Sequence, residues 1–226
     1  MALGILVVGN SGTGKSTSTR NLDPKKTFVI NVAKKPLPFK GWQSNYTELT
    51  KDNPTGNMLS SDDNAVIRKT LAYINTERKE IETIIIDDYQ YLMANEYMKR
   101  AKENGFNKFV DISQNAFFLA DNLKNLRPDL FVVAMNHLEV DRDELGNKIV
   151  KAKTIGKMFD QYVTLEGLYS IVLYTAVKKK EDNSLEYVFY TQNDGTNTAK
   201  SPMGMFNYEI PNDLAEVIKQ IKEYNK

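Results

Sequence analysis

Hydrophobic positions along this chain fall into two recurring patterns. Short runs rich in β-branched residues occur at Ile5 to Val8, Thr27 to Val32, Thr83 to Ile86, Leu130 to Met135 and Ser170 to Val177. They are nearly continuous rather than alternating, as expected of strands covered on both faces. Between them, apolar residues recur every three or four positions. In "DDNAVIRKTLAYINTERKEI" Ile67, Leu71, Ile74 and Ile81 share one helical stripe, and in "DISQNAFFLADNLKNL" Ile112, Ala116, Leu119, Leu123 and Leu126 do the same, so both segments predict amphipathic helices. A third helix is expected near Tyr89 to Asn104. A fourth, over about 212–225, has Asn212 or Asp213 as its cap and Leu214, Val217, Ile218 and Ile221 as its apolar face. Strands alternating with helices predict an α/β fold, a mostly parallel sheet with helices on both faces.

Two stretches break the pattern. "KKPLPFKGWQSNYTELTKDNPTGNMLSS" is punctuated by Pro36, Pro38 and Pro54, and "EVDRDELGNKIVKAKTIGK" reads as a hairpin insertion over about 138–157, turning at Leu145 to Asn147. No repeat, low-complexity tract or compositional break divides the 226 residues, so a single domain is expected over 1–226. Composition changes this picture little. Thirty basic and 29 acidic residues leave a net charge of +1, so no global field favours nucleic acid or a membrane, and any basic surface must be local. Cysteine is absent, there is no basic leader with a cleavage site, and no apolar run approaches the ~18 residues of a membrane span. The expectation is a soluble, cytoplasmic protein without disulfides or a membrane partner.

Candidate chemistry concentrates at strand ends. "GNSGTGKST" comprises Gly9, Asn10, Ser11, Gly12, Thr13, Gly14, Lys15, Ser16 and Thr17 and matches G-x-x-x-x-G-K-[ST] at every fixed position. It follows a strand ending at Val8, and a helix is expected to begin at Lys15, the setting a phosphate-binding loop requires. Glycines let backbone N–H groups turn inward and the helix N-terminus favours bound phosphate. Lys15 would neutralise the β and γ phosphates, and Ser16 would place its hydroxyl on Mg2+. The bland alternative is a glycine-rich turn with an exposed lysine. "TIIIDDYQ" ends a strand on Asp87 and Asp88. Asp87 is the expected metal-side carboxylate, and Asp88 a candidate for polarising the attacking water; alone, the pair reads equally as a solvated strand end or a helix cap. His137, the single histidine, follows "LFVVAM" at a strand's carboxyl end, where ligands of open α/β sheets bind. It is a candidate nucleotide sensor or a rim residue.

Lys178 to Lys180 form a run between two strand-like segments. Lys148, Lys151, Lys153 and Lys157 lie on or after the hairpin, but Glu139, Asp141, Asp143 and Glu144 share it and weaken its field. Phe39, Trp42 and Tyr46 could stack on bases, although scattered aromatics more often serve as core or rim.

Taken together, "GNSGTGKST", "TIIIDDYQ", "VVAMNH" and "TNTAKSPMGMF", in this order, resemble the small phage-encoded P-loop ATPases that keep only a RecA-like core, including the Sak-type single-strand annealing and recombination group. "INVAKKPLPFKGW" and "EIPNDLAEVI" are also similar to that group. The resemblance implies a RecA-like P-loop NTPase fold, DNA-stimulated binding and hydrolysis of ATP with Mg2+, homo-oligomeric rings or filaments, and single-stranded DNA and a single-strand-binding protein as partners; slow turnover is expected only from the departures named below. It makes Gly14, Lys15, Ser16 and Thr17 the phosphate and magnesium contacts, Asp87 the strand-end carboxylate and His137 the sensor. Lys200 becomes the basic residue inserted into a neighbour's ATP site. Two departures stand out: Ala33, Lys34 and Lys35 occupy the place of a catalytic glutamate, and Pro202 that of a second basic residue. Asp88 is the candidate substitute for the glutamate. Two other functions stay open. A nucleotide kinase would need an arginine-rich lid, whereas Arg20, Arg68, Arg78, Arg100, Arg127 and Arg142 are scattered; a non-hydrolysing, ATP-gated adaptor for a replication protein would suit the missing glutamate.

Overall fold

The computed structural model describes residues 1–142, 146, 148–155, 159 and 163–226. The apolar runs become strands β1 (Leu3–Gly9), β2 (Thr27–Asn31), β4 (Thr83–Asp87), β5 (Phe131–Arg142) and β7 (Ile171–Lys179), joined by β3 (Met58–Leu59), β6 (Lys148–Ala152), β8 (Leu185–Tyr190) and β9 (Glu209–Pro211). Their order is β3-β2-β4-β5-β1-β7-β8-β9, with β6 paired to β5 alone. Neighbours from β3 to β7 run parallel, and β8 and β9 add an antiparallel edge.

Strand alternation divides the core in two. Leu6 and Val8 of β1 point into a cluster that holds Ile67, Leu71, Ile112 and Leu119; after the one-turn helix α1 (Trp42–Asn45), these are carried by helices α2 (Asn64–Glu77) and α4 (Asn107–Asp121), with α3 (Gln90–Lys99) beside them. Ile5 and Val7 point to the other face, where Leu214, Val217, Ile218 and Ile221 of helix α5 (Leu214–Tyr224) pack. The expected α/β architecture, a mostly parallel sheet covered on both faces, is therefore the observed one. Asp213, not Asn212, caps α5: its carboxylate accepts the Ala215 N–H at 2.9 Å.

Several boundaries differ from the sequence reading. α2 ends at Glu77, and Ile81 is buried from the loop beyond it. α4 starts earlier than its stripe suggests, and α3 stops at Lys99. The helix expected from Lys15 is the largest correction, for it is a single 3-10 turn, Ser16–Thr19. Ser18 and Thr19 donate their hydroxyls back to the carbonyls of Lys15 and Ser16, the local competition that weakens helices, and Pro24 ends any extension a turn later. Tyr46, 3% exposed, packs in the core with Phe39 and Trp42 against it, so these aromatics serve packing. Burial pushes the Tyr46 phenol up to about 12.

β5 is twice as long as its apolar run because it serves two partners. Leu3 to Gly9 pair with Phe131 to His137, and Leu138 to Arg142 then pair antiparallel with β6. This ladder falls within the segment where a hairpin was expected; the expected turn residues Leu145 and Asn147, with Asp143, Glu144 and Lys157, lie outside the described residues. Among the described residues, no helix is long and apolar enough to cross a membrane.

Candidate functional site

Parallel pairing brings the carboxyl ends of β1, β2, β4 and β5 to one edge, where Gly9 lies beside His137 and Asn31 beside Asp87. A cleft of about 630 Å³ opens there, at the edge where such sheets bind ligands.

The loop after β1 forms its floor. Asn10, Ser11 and Gly12 are exposed on its crown, and Gly14 adopts φ +93°, a conformation that a side chain disfavours. Gly9 is constrained by space instead: a Cβ there would fall 1.7 Å from Thr175 Oγ1 of β7. Thr13 Oγ1 hydrogen-bonds that same hydroxyl at 2.5 Å and tethers the loop to β7. Lys15 folds across the loop, its Nζ donating to the carbonyls of Gly9 and Asn10, both at 2.9 Å. Burial lowers its pKa, and Asp88 and Asp87 work against that shift. Thr17 lines the cleft beside Ser16.

Ser16 Oγ donates to Asp87 Oδ1 at 2.8 Å, joining the loop to the end of β4. Burial, then the neighbouring Asp88 charge, pushes the Asp87 carboxyl up to about 6. Asp88 has φ +94°, unusual for a residue with a side chain, and its carboxylate is held on both sides. Lys35 Nζ donates to Oδ2 at 3.0 Å, and His137 Nε2 lies 3.4 Å from Oδ1. The His137 N–H donates to Gln90 Oε1 at 3.0 Å, and its carbonyl accepts the Lys153 N–H at 2.7 Å. Burial, reinforced by Lys15, lowers the imidazole pKa, so the neutral ring prevails near pH 7.

A serine hydroxyl beside a carboxylate is a hard-oxygen pair suited to Mg2+. Among the described residues no group of three or more carboxylates or imidazoles gathers to hold a metal. Such a pair fits an ion that takes its remaining ligands from water and substrate phosphates.

The structure thus brings Lys15, Ser16, Asp87, Asp88 and His137 together. Lys200 lies elsewhere: its backbone pairs with Val172 of β7, and it does not line the cleft. Sequence reading missed Lys35 as a cleft residue, noting it only as standing where a glutamate was expected. It also missed Asn31, whose side chain holds the Lys35 carbonyl and N–H at 2.7 and 3.2 Å. Arg20, Tyr187, Pro211 and Asn212 also line the cleft. Their signal was tertiary, since β8 and β9 reach the loop only through sheet pairing.

Comparison with curated proteins finds no match. Residues 1–203 match the family described as an AAA domain, a span running from β1 through β8 and stopping before β9 and α5. With the phosphate loop and its partner carboxylates on one sheet edge, this match over most of the sequence shows that the chain belongs to the AAA domain family and carries an ATPase domain of the P-loop kind.

Proposed function

We propose that the protein binds ATP with Mg2+ in this cleft, hydrolyses it, and couples nucleotide state to single-stranded DNA in recombination, annealing or replication. The observation carrying the nucleotide half is the convergence of Lys15, the Ser16–Asp87 pair and the Asp88–His137 pair on one cleft. On binding, Lys15 leaves the Gly9 and Asn10 carbonyls for the β and γ phosphates, and the loop's N–H groups hold the remaining oxygens. Ser16 and Asp87 would hold Mg2+, which supplies charge neutralisation at the phosphates. Asp88, steadied by His137, orients the water. The water oxygen bonds to the γ phosphorus, the bond to the β–γ bridging oxygen breaks with its electron pair leaving on ADP, and the water's proton leaves with the phosphate product.

The DNA half rests on the resemblance to Sak-type, RecA-like phage proteins and on one structural link. His137 is the last residue of β5 beside β1, and its carbonyl holds Lys153 just after β6, so a shift at the nucleotide is felt at the hairpin root. The hairpin's own charge is partly spent internally, since Lys151 pairs with Glu139 and Asp141. Homo-oligomeric rings or filaments in which Lys200 enters a neighbour's site, a single-strand-binding protein as partner, and a phage origin with cytoplasmic location belong to the same reading. The adaptor reading draws support from the Lys35–Asp88 ion pair, which occupies the carboxylate needed to position water. A kinase gains none: Arg20 is the arginine lining the cleft among the described residues, and it is tied to the Asn212 carbonyl at 2.8 Å.

The test is ATP turnover by purified protein with and without single-stranded DNA, with Lys15→Ala as the blank. Stimulation that disappears in the variant is expected. Turnover indifferent to DNA, with no DNA binding in either nucleotide state, would remove the DNA half; normal nucleotide binding by Lys15→Ala would remove the site.

A further inference from the structure

We propose that Lys35 supplies, within the same chain, a second positive charge that meets the γ phosphate beside Lys15, and that Asp88 presents it. This rests on the ATP-hydrolysis reading above and names the group that stabilises charge there.

Three observations converge. First, Lys35 is placed, not merely present. Asn31 ends β2 directly beside Asp87, and its side-chain amide closes a ring on the Lys35 backbone through both its oxygen and its nitrogen. The loop carrying Lys35 is thereby locked to the strand end next to the metal-side carboxylate. Second, the lysine side chain is held in two places along one direction: its ammonium is 3.0 Å from Asp88 Oδ2 and 5.2 Å from the centre of the Tyr91 ring, itself packed edge-on against His137. It is nonetheless 61% exposed and lines the same cleft as Lys15. An ammonium has three donors, so one can remain on Asp88 while the others turn to a phosphate. Third, the cleft's other cations are committed. Lys15 is assigned to the β and γ phosphates from the loop side, and Arg20 is bonded to the carbonyls of Thr17 and Asn212.

Electrostatics gives the reason for this arrangement. Asp87 and Asp88 are adjacent, buried carboxylates, and a triphosphate entering beside them meets like charge. Mg2+ on the Ser16 and Asp87 side answers one carboxylate. Lys35 answers the other, and it stands where charge accumulates as the terminal phosphoryl group departs, which is where a fixed donor contributes most to rate. The lysines at the end of β2 thus take up, with opposite charge, the place in which a water-activating glutamate was expected.

The experiment compares Lys35→Met, which keeps length and removes charge, with Lys35→Arg, which keeps charge. Steady-state turnover and the affinities for ADP and a non-hydrolysable ATP analogue are measured with Mg2+. For Lys35→Met, kcat should fall about a hundredfold, and affinity for the ATP analogue about tenfold, while affinity for ADP stays within about twofold. Lys35→Arg should recover most of kcat. Because Asp88 is buried, removing its lysine partner also costs some folding stability, so melting temperature is followed in parallel and all constants are compared where the three proteins are fully folded. Turnover by Lys35→Met within about threefold of the parent, a rise in turnover, or equal losses of ADP and ATP-analogue affinity would each overturn the proposal. If the parent protein neither binds nor hydrolyses ATP, the functional reading falls and this proposal with it. If the parent is active and Lys35→Met is unchanged, this proposal alone falls.

Discussion

Gly9→Ala isolates a constraint that the phosphate-loop motif does not explain. Gly9 is not among the residues with positive φ, so its backbone tolerates alanine, and any cost must be steric. The added methyl would fall 1.7 Å from Thr175 Oγ1, 3.1 Å from Thr175 Cβ and 2.8 Å from Thr13 Oγ1. Thr13 can rotate, but Thr175 is β-branched and 7% exposed: one of its other two rotamers puts its methyl group in the same space, and both take its hydroxyl from Thr13 and the Val8 carbonyl. Relief therefore requires β1 and β7 to separate or the loop to shift, an overpacking cost of about 2 kcal/mol. For a chain of this size that lowers the melting temperature by about 4–8 °C. Thr175→Ala alone should cost about 1 kcal/mol through its lost hydroxyl contacts. The double variant should be less destabilised than the sum by about 1 kcal/mol, because the alanine removes the colliding oxygen. Urea or thermal unfolding of all four proteins, with nucleotide affinity in parallel, reads this out. Gly9→Ala melting within about 1 °C of the parent, or strictly additive losses, would refute the packing argument.

Two further substitutions probe the frame. Asp62 is hydrogen-bonded by Lys99 and Asn95 and faces Lys34, and these contacts hold its carboxyl down at about 2. Since its folded pKa lies below its ordinary value, its contribution is complete above about pH 4 and is lost as pH falls toward 2. Solvent screening at the exposed lysines limits it to about 1 kcal/mol, so Asp62→Asn should lower stability by that amount at pH 7 and converge with the parent near pH 2 in urea titrations. Leu214→Ala opens a cavity under α5 at a fully buried position and should cost about 2–5 kcal/mol. An unchanged urea midpoint would show that α5, which lies beyond the family match, is not part of the cooperative core.

What was legible in the sequence follows from what local pattern encodes. The central strands are buried on both faces, so Ile5 to Val8 and Thr83 to Ile86 announce themselves as unbroken apolar runs. That Asp87 and His137 meet at one sheet edge was readable because each follows such a run and parallel strands end together. Strand order was not readable: that β5 lies between β1 and β4 depends on packing across the whole sheet. Lys35 was visible only as a departure, since its place in the cleft is set by the Asn31 ring. The helix after Lys15 was over-read, because the motif outweighed a plain local signal: four consecutive hydroxyl residues, Ser16 to Thr19, with Pro24 following.

That shortened helix changes what supports the phosphate loop. Anion binding needs little of a helix beyond its first turn, where the free N–H groups lie and most of the dipole's effect is felt, so Ser16–Thr19 suffices for charge. What a longer helix adds is mechanical: it pins the loop to the sheet. Here the pinning comes from the C-terminal segment. Arg20 donates to the Asn212 carbonyl at 2.8 Å, Asn21 donates to Asp213 Oδ2 at 2.6 Å, and Asn212 lies so close to Gly14 that a methyl group there would stand 2.9 Å from its side-chain oxygen. Asp213 is also the cap of α5, whose apolar face is buried against Ile5 and Val7 of β1. The loop is therefore fixed at both ends to the same strand, directly at Gly9 and through α5 at Gly14, and residues beyond the family match complete a site whose motif lies at the start of the chain.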